Sequence, residues 1–413
     1  MIEKLKLGRY DYAAYTAFAA YAVCSLSIPL VIVAMGKELH FPLDKGGMAA
    51  GGALHLLRSA ALVIALLSCG CLAGRIGKRR SMGFSMLLSA AGILTCAAAP
   101  AYALLLPGLA IAGLGEGICE GMATPFVQDL HKDAPERYVN IAHSFWSVGI
   151  GICVLMAGGL LTCGVSWRIV MLLAGTAAGT AALMFLWREH PEKRYPESGG
   201  AANWNEVFRF SVQIAKVPRF WVYCLGMFLG AGAEFCLTFW SAAYLQLHFR
   251  TGVWMAGVGT GSIALGMFIG RMGFGYFARE SRLKHVLLIC ALANIPVTIL
   301  LAVLKPEMFS SHGILYIILM VLLILGGIGI GPYWPTLQVY GVKQLPELDS
   351  TLLYIYFSAI GIPGCGFFTW LMGYLGDRFG LSGAFWMLPA TLLAFSLTIG
   401  LEGWIWPRKP AVR

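Results

Sequence analysis

Two carboxylates one helical turn apart, Glu116 and Glu120, sit inside the apolar run GLGEGICEGMATPFV that begins at Gly113. A carboxyl in such a run is costly to insert, so it pairs with a cation or faces a water-filled cavity, where it can relay a proton or contact a substrate. The i, i+4 spacing places both on one helix face. A third acid, Glu234, lies midway through another apolar, Gly-rich run, GAGAE. These three are the candidate proton-coupling groups.

Arg58 is the opposing charge. It stands near the middle of an apolar run with His55 one turn away. An unpaired Arg at a helix centre costs about 2.5–3.5 kcal/mol on insertion scales. It is therefore expected either to pair with Glu116, Glu120 or Glu234, or to hold an anionic substrate through its planar fork. Arg271, in a Gly-Arg pair toward the end of its own apolar run, reads as structural or gating.

Asn140, His143 and Ser147 share one face of a helix by their spacing. His143 can donate to hydroxyls or carry a proton. Trp146, Trp240, Tyr244, Tyr333 and Trp334 can stack on the apolar face of a sugar ring, although aromatic side chains also simply fill interfaces. Asn294 and Gln338 are further polar groups inside apolar runs.

The elements that position these groups follow from hydropathy. Of 413 residues, 58% are hydrophobic and 12% charged, and mean hydropathy is +0.74. The apolar runs are continuous and reach the roughly 20 residues that a helix needs to span a bilayer. Lipid leaves helices or closed barrels as the only spanning options, and continuous runs exclude the alternating pattern of a barrel. The predicted spans are 12–36, 46–73, 81–99, 102–130, 138–162, 167–187, 220–246, 252–278, 283–304, 313–341, 350–375 and 383–404. This is an all-α membrane protein of twelve transmembrane helices, six on each side of a polar stretch. The predicted domains are an N-terminal bundle (1–190), a linker (191–219) with a possible amphipathic helix over Trp204–Ala215, and a C-terminal bundle (220–413). The first apolar run is long enough to remain as a helix rather than to serve as a cleaved signal.

The net charge of +10 does not point to nucleic acid. Lys and Arg concentrate in alternate loops, among them Arg75, Lys78, Arg79 and Arg80, then Arg188 to Arg219, then Arg279 to Lys284. That bias places both termini on the cytoplasmic side of an inner membrane. The 11 cysteines are scattered through the apolar runs and read as packing residues. No metal-ligand cluster, catalytic Ser/His/Asp set or phosphate-cradling loop stands out, so the reading is a non-enzyme without cofactor and without ATP hydrolysis in this chain.

The halves echo one another. Gly113-Leu-Gly-Glu-Gly117 has a counterpart in Gly327-Ile-Gly-Ile-Gly331, and Phe145–Gly149 in Phe357–Gly361. Paired repeats of this kind imply alternating access by rocking halves around a mid-depth site. The run Gly70, Leu72, Gly74, Arg75, Gly77, Lys78, Arg79 resembles the signature loop of the major facilitator superfamily, with Gly74 where that family usually has Asp. The stretches Gly164–Arg168 and Gly373–Gly380, with Asp377 and Arg378, also fit. The resemblance implies gating roles for Gly70, Arg75, Gly77, Lys78, Arg79, Arg271, Asp377 and Arg378.

Within that superfamily, Glu120-Gly-Met-Ala-Thr124-Pro-Phe-Val127 followed by Asn140-Ile-Ala-His143-Ser-Phe145 resembles the fucose permease branch of proton-coupled sugar symporters. So do Gly230–Glu234 with Trp240 and Tyr244, and Gly331–Pro335. The resemblance implies Glu120 as coupling carboxylate and a sugar-sized cavity beside it. Thr124 and Trp146 stand where that branch can carry amides, and the first helix lacks that branch's acid, offering Ser25 and Ser27 instead. The expected activity is proton-coupled symport of a monosaccharide by a monomer in the lipid bilayer. The alternatives are an organic-anion or sugar-acid transporter using Arg58, a drug or metabolite exporter, and a non-transporting sensor of the same fold.

Overall fold

The structure is a computed structural model, and it describes residues 7–132, 135–188, 194–196, 204–277 and 282–405. The described residues form fifteen α-helices and short 3-10 turns. They are α1 (Arg9–Glu38), α2 (Met48–Ile76), α3 (Lys78–Ala98), α4 (Tyr102–Leu130), α5 (Pro135–Thr162), α6 (Trp167–Leu186), α7 (Trp204–Ala215), α8 (Pro218–Leu247), α9 (Val253–Phe277), α10 (Leu283–Val303), α11 (His312–Ile330), α12 (Tyr333–Gln344), α13 (Ser350–Phe385), α14 (Met387–Gly400) and α15 (Glu402–Ile405). Among them are eleven candidate membrane spans, α11 and α12 together making one, plus the shorter apolar helix α14. Large apolar side chains stand exposed along the spans, for example Ile64, Leu155, Ile289 and Ile317. A band of that kind suits a lipid surface.

Two boundaries differ from the sequence expectation for backbone reasons. The run 313–341 is interrupted between Ile330 and Tyr333, where Pro332 and Pro335 each withhold an N–H from the helix ladder. The run from 350 passes its expected end and breaks at Gly380, whose φ of 73° and ψ of 163° are non-helical. Such a conformation favours glycine. The chain then turns helical again, and Trp386, at φ −61° and ψ −16°, leads into α14.

The chain divides into two compact units. One holds residues 1–40 and 57–202, the other 41–56 and 203–413. In the first, α3 packs on α4 and α6, and α1 on α5 and α6. In the second, α8 packs on α13, α9 on α11, and α10 on α14. Of the expected linker, residues 191–193, 197–203 and their structure lie outside the described residues. Tyr195 is buried in the first unit, its hydroxyl donating to the Phe126 carbonyl at 3.1 Å and to Asp129 at 3.0 Å. Helix α7 leaves Phe208, Phe210 and Val212 exposed and buries Ile214.

Close backbone approach fixes the helix that carries the two acids. A Cβ on Gly113 would come within 2.3 Å of the Arg58 carbonyl, and one on Gly117 within 2.1 Å of the Leu62 carbonyl. Glycine at these points lets α4 lie directly on α2. Gly117→Leu is expected to lower stability by about 1–3 kcal/mol, the usual range for overpacking. Thermal unfolding of the purified protein in detergent measures it, and an unchanged transition would mean that the two helices are not held at this spacing.

Candidate functional site

In the first unit the candidate residues form a column along α4. Thr124, Glu120 and Glu116 succeed one another at one-turn intervals on one face, and each meets partners from neighbouring helices. At the first level the Thr124 hydroxyl and His143 Nε2 of α5 share a hydrogen bond of 3.0 Å, and the His143 ring lies 4.6 Å from that of Phe18 on α1. At the second, Tyr21 of α1 lies within electrostatic range of Glu120, and its ring meets Trp146 of α5 edge-on at 4.5 Å. At the third, Arg58 of α2 grips Glu116 with both arms, Nε to Oε2 at 2.7 Å and Nη2 to Oε1 at 2.6 Å. Asn140 lies on α5, but its side chain falls outside the described residues.

These levels differ in kind. Arg58 and Glu116 are 2% and 0% exposed. Glu116 fills the carboxylate-recognising fork of the guanidinium with both of its oxygens. Arg58 thus pairs with one of the three acids named for it, and both Glu116 oxygens are engaged by the guanidinium. Glu120, one turn on, is half-buried and lies between Glu116 and the Thr124–His143 pair along α4, within electrostatic range of Tyr21, whose ring meets the Trp146 indole. That surround offers donors and acceptors for hydroxyls and a flat aromatic face.

Arg58 has a further role that proline explains. Its Nη1 donates to the Ser25 carbonyl at 3.1 Å. In a helix that carbonyl would accept from residue 29, which is Pro29 and has no N–H. The guanidinium therefore neutralises a carboxylate and satisfies an orphaned carbonyl together.

The second unit repeats the device. Arg271 of α9 donates through Nη2 to Glu234 Oε1 of α8 at 3.0 Å and through Nε to the Gly331 carbonyl at 3.0 Å. Residue 335, the ladder partner of that carbonyl, is again a proline. Here the pair is looser. Glu234 is 6% exposed and its Oε2 is buried without a hydrogen-bond partner. Nearby, Asn294 donates to the Gly326 carbonyl at 3.1 Å, while neither its Oδ1 nor the Tyr333 hydroxyl, both buried, makes a hydrogen bond of normal geometry.

The remaining aromatic candidates are tied into packing. Trp240 is fully buried and its indole N–H donates to the Thr369 carbonyl at 3.0 Å. Tyr244 donates to the Leu301 carbonyl at 2.6 Å and stacks on Phe385 at 3.7 Å. Trp334 packs against Gly361 of α13. Gln338 donates to Ser358 at 2.8 Å.

The gating candidates occupy helix ends. Gly77 holds φ 85° between α2 and α3, a turn that favours glycine. Lys78 pairs with Asp129 at 2.7 Å, and Arg79 donates to the Phe185 carbonyl. Arg75 is exposed, and a Cβ on Gly70 would meet open space. Asp377 accepts from the backbone N–H groups of Met48 and Ala49 at 2.8 and 2.7 Å, capping α2 where orphaned donors attract an anion. Arg378 lies 4.5 Å over the Tyr374 ring.

Sequence reasoning missed Tyr21, Phe18 and the freed carbonyls of Ser25 and Gly331. A signal for the carbonyls exists, since a proline four residues on marks each. Nothing in the apolar run of α1 distinguishes Tyr21.

The family model of the Major Facilitator Superfamily matches residues 13–362. The chain belongs to that superfamily. Among solved structures, a bacterial homologue of the human lysosomal transporter Spinster, inward-facing and occupied, has a TM-score of 0.73 at 16% identity, over 97% of this chain and 98% of that one. The E. coli fucose:proton symporter has a TM-score of 0.61 at 17% identity, over 95% and 98%. A D-xylose-proton symporter has a TM-score of 0.70 at 11% identity, over 95% and 96%. No curated protein matches the sequence significantly. These likenesses establish the fold, and with the family they make the chain a transporter with multiple membrane helices rather than an enzyme.

Removing one partner of the buried pair tests its reading. Arg58→Met leaves Glu116 buried beside no cation and is expected to destabilise by about 3–5 kcal/mol. Arg58→Met with Glu116→Leu is expected to recover most of that loss. Unfolding in detergent checks both, and a double variant no more stable than the single one would show that the pair is not the reason for the arginine.

Proposed function

We propose that this protein is a proton-coupled symporter of a monosaccharide, working by alternating access across an inner membrane. The observation that carries the reading is Glu120. It is a half-buried carboxylate in a membrane helix, within electrostatic range of Tyr21, whose ring meets Trp146, and one helical turn from Thr124, which bonds His143. A carboxyl in such surroundings suits proton uptake and release, and the polar and aromatic groups beside it suit a sugar's hydroxyls and ring face. Two of the related structures are described as proton symporters of sugars, which supports the same class for this chain.

In this reading the chain has twelve membrane crossings in two six-helix halves. The last runs from residue 381 through Trp386 to residue 400, supported by the helical backbone at Trp386. Both termini are cytoplasmic, the active unit is a monomer, and the partners are the sugar, the proton and the lipid bilayer. Glu120 takes the proton, and Thr124 and His143, with Asn140 on the same helix as His143, bind hydroxyls. Glu116 serves as the anchor of Arg58 rather than as a relay.

The test is uptake into proteoliposomes from a panel of neutral sugars, fucose, galactose, glucose and xylose among them. Glu120→Gln is expected to abolish accumulation driven by a proton gradient and to spare exchange of internal for external sugar. A variant that still accumulates sugar against its gradient would show that Glu120 is not the coupling group.

A further inference from the structure

The two buried arginine–glutamate pairs differ in a way that concerns substrate. In the first unit both Glu116 oxygens are held and the Arg58 side chain is 3% exposed. In the second, one Glu234 oxygen is held, the other is unpartnered, and the Arg271 side chain is 35% exposed. Its second arm, Nη1, has no partner among the described residues. A guanidinium inside a membrane helix opens to water rather than to lipid. Arg271 is thus a planar fork with one arm committed and one presented. Two further polar groups complete the surroundings: the Tyr333 hydroxyl on α12 lies close to both Asn294 on α10 and Glu234, and neither it nor Asn294 Oδ1 makes a hydrogen bond of normal geometry.

The titratable groups acting on Glu234 are Arg271 of α9 and Tyr333 of α12. The ring of His55 stacks on the neighbouring Phe235 at 5.1 Å. Helices α13 and α14, which also pack on α8, bring no charged group to Glu234 among the described residues.

We infer that Arg271, Glu234, Asn294 and Tyr333 form a site for a hydroxylated monocarboxylate of sugar size, such as an aldonic or uronic acid, in which the substrate carboxylate displaces Glu234 from Arg271. The exchange balances. The substrate arrives as an anion and its two oxygens take the guanidinium N–H groups, a bidentate geometry stronger than the single bond that Glu234 makes. Glu234 swings free and takes one proton from water on its carboxylate, so one anion and one proton enter together and no net charge moves. Asn294 Oδ1 accepts from a substrate hydroxyl, and the Tyr333 hydroxyl donates to or accepts from another. Release on the far side returns Glu234 to Arg271 and expels the proton. Arg58 takes no part, because its fork is already filled.

This rests on the proton-coupled reading above but takes a sugar acid in place of a neutral sugar and moves the coupled proton from Glu120 to Glu234, and one experiment separates the two. Purified protein in proteoliposomes is challenged with D-gluconate, D-glucuronate and D-glucose while internal pH is recorded with and without a clamped membrane potential. The expected result is internal acidification driven by an acid, insensitive to the potential, and lost in Arg271→Gln and Arg271→Lys. A second measurement does not depend on those variants folding. Glu234→Gln removes the internal competitor, so it is expected to bind the acid about tenfold more tightly, with affinity no longer dependent on pH, and to transport it without acidification.

Acidification by glucose but by neither acid would overturn this site and leave the neutral-sugar reading standing. No response to either acid overturns this site, and the neutral-sugar reading is then decided by fucose, galactose and xylose in the same assay. Acid transport that survives in Arg271→Gln, or unchanged binding in Glu234→Gln, would place the anion elsewhere and overturn the assignment.

Discussion

A buried guanidinium must find a negative charge and enough acceptors, and in this protein that requirement organises both units. Each unit contains one arginine near a proline-interrupted helix, and each arginine meets two needs with one side chain. It neutralises a carboxylate and donates to a carbonyl that a proline four residues on has left without its ladder partner. The two solutions are related but not identical. In the first unit the carboxylate comes from the fourth long helix (Glu116 on α4) and the carbonyl from the first (Ser25 on α1). In the second the carboxylate comes from the first long helix (Glu234 on α8) and the carbonyl from the broken fourth (Gly331, after α11). The helix roles are exchanged around the same central cation.

Glycine makes the arrangement possible. A guanidinium reaches both partners only if the backbones stand close, and α4 lies on α2 at Gly113 and Gly117 with no room for a Cβ. The contact of α9 with α11 is built the same way, since a Cβ on Gly266 would fall 2.1 Å from the Ile324 carbonyl and one on Gly327 2.2 Å from that of Ile263. The Ile328 carbonyl, freed by Pro332, faces Gly270 of α9 at similarly short range. Small residues at helix contacts are the general means of tight association in lipid, where burial of apolar surface gives little drive. Here they also set the depth at which the charged pairs meet.

Much of this was legible in the sequence, and the illegible part has physical causes. Continuous apolar runs of spanning length revealed nearly every long helix, because the bilayer imposes length and polarity directly. The costs of Glu116 and Arg58 predicted that each needs an opposite charge, but three acids were available and spacing along one chain does not say which helix faces which. The pairing of Arg271 with Glu234 was hidden for the same reason. Position near a helix end made Arg271 look structural, although its side chain reaches an acid on the preceding long helix. Tyr21 was invisible because an apolar helix tolerates a tyrosine wherever its hydroxyl finds a partner. Trp240 and Tyr244 looked like ring-stacking residues and are placed as buried packing groups whose polar atoms end on backbone carbonyls. Composition cannot separate those uses of an aromatic ring.

The contrast between the pairs suggests how the labour is divided. A bidentate pair with every oxygen engaged and no exposure has little to gain from moving, since breaking it strands two charges in a dry interior. A singly bonded pair with a free oxygen and a partly open cation has alternatives close at hand, and a ligand can act on a protein only through such a difference between states. The closed pair of Arg58 and Glu116 therefore serves as the fixed reference from which α4 presents Glu120 one turn further on. The open pair of Arg271 and Glu234 lies beside a helix already interrupted at Gly331 and Pro332, where a change in what Arg271 holds also changes what the interrupted backbone is bonded to. Charge and backbone are joined there through one side chain, so a ligand that competes for the arginine acts on the helix break as well.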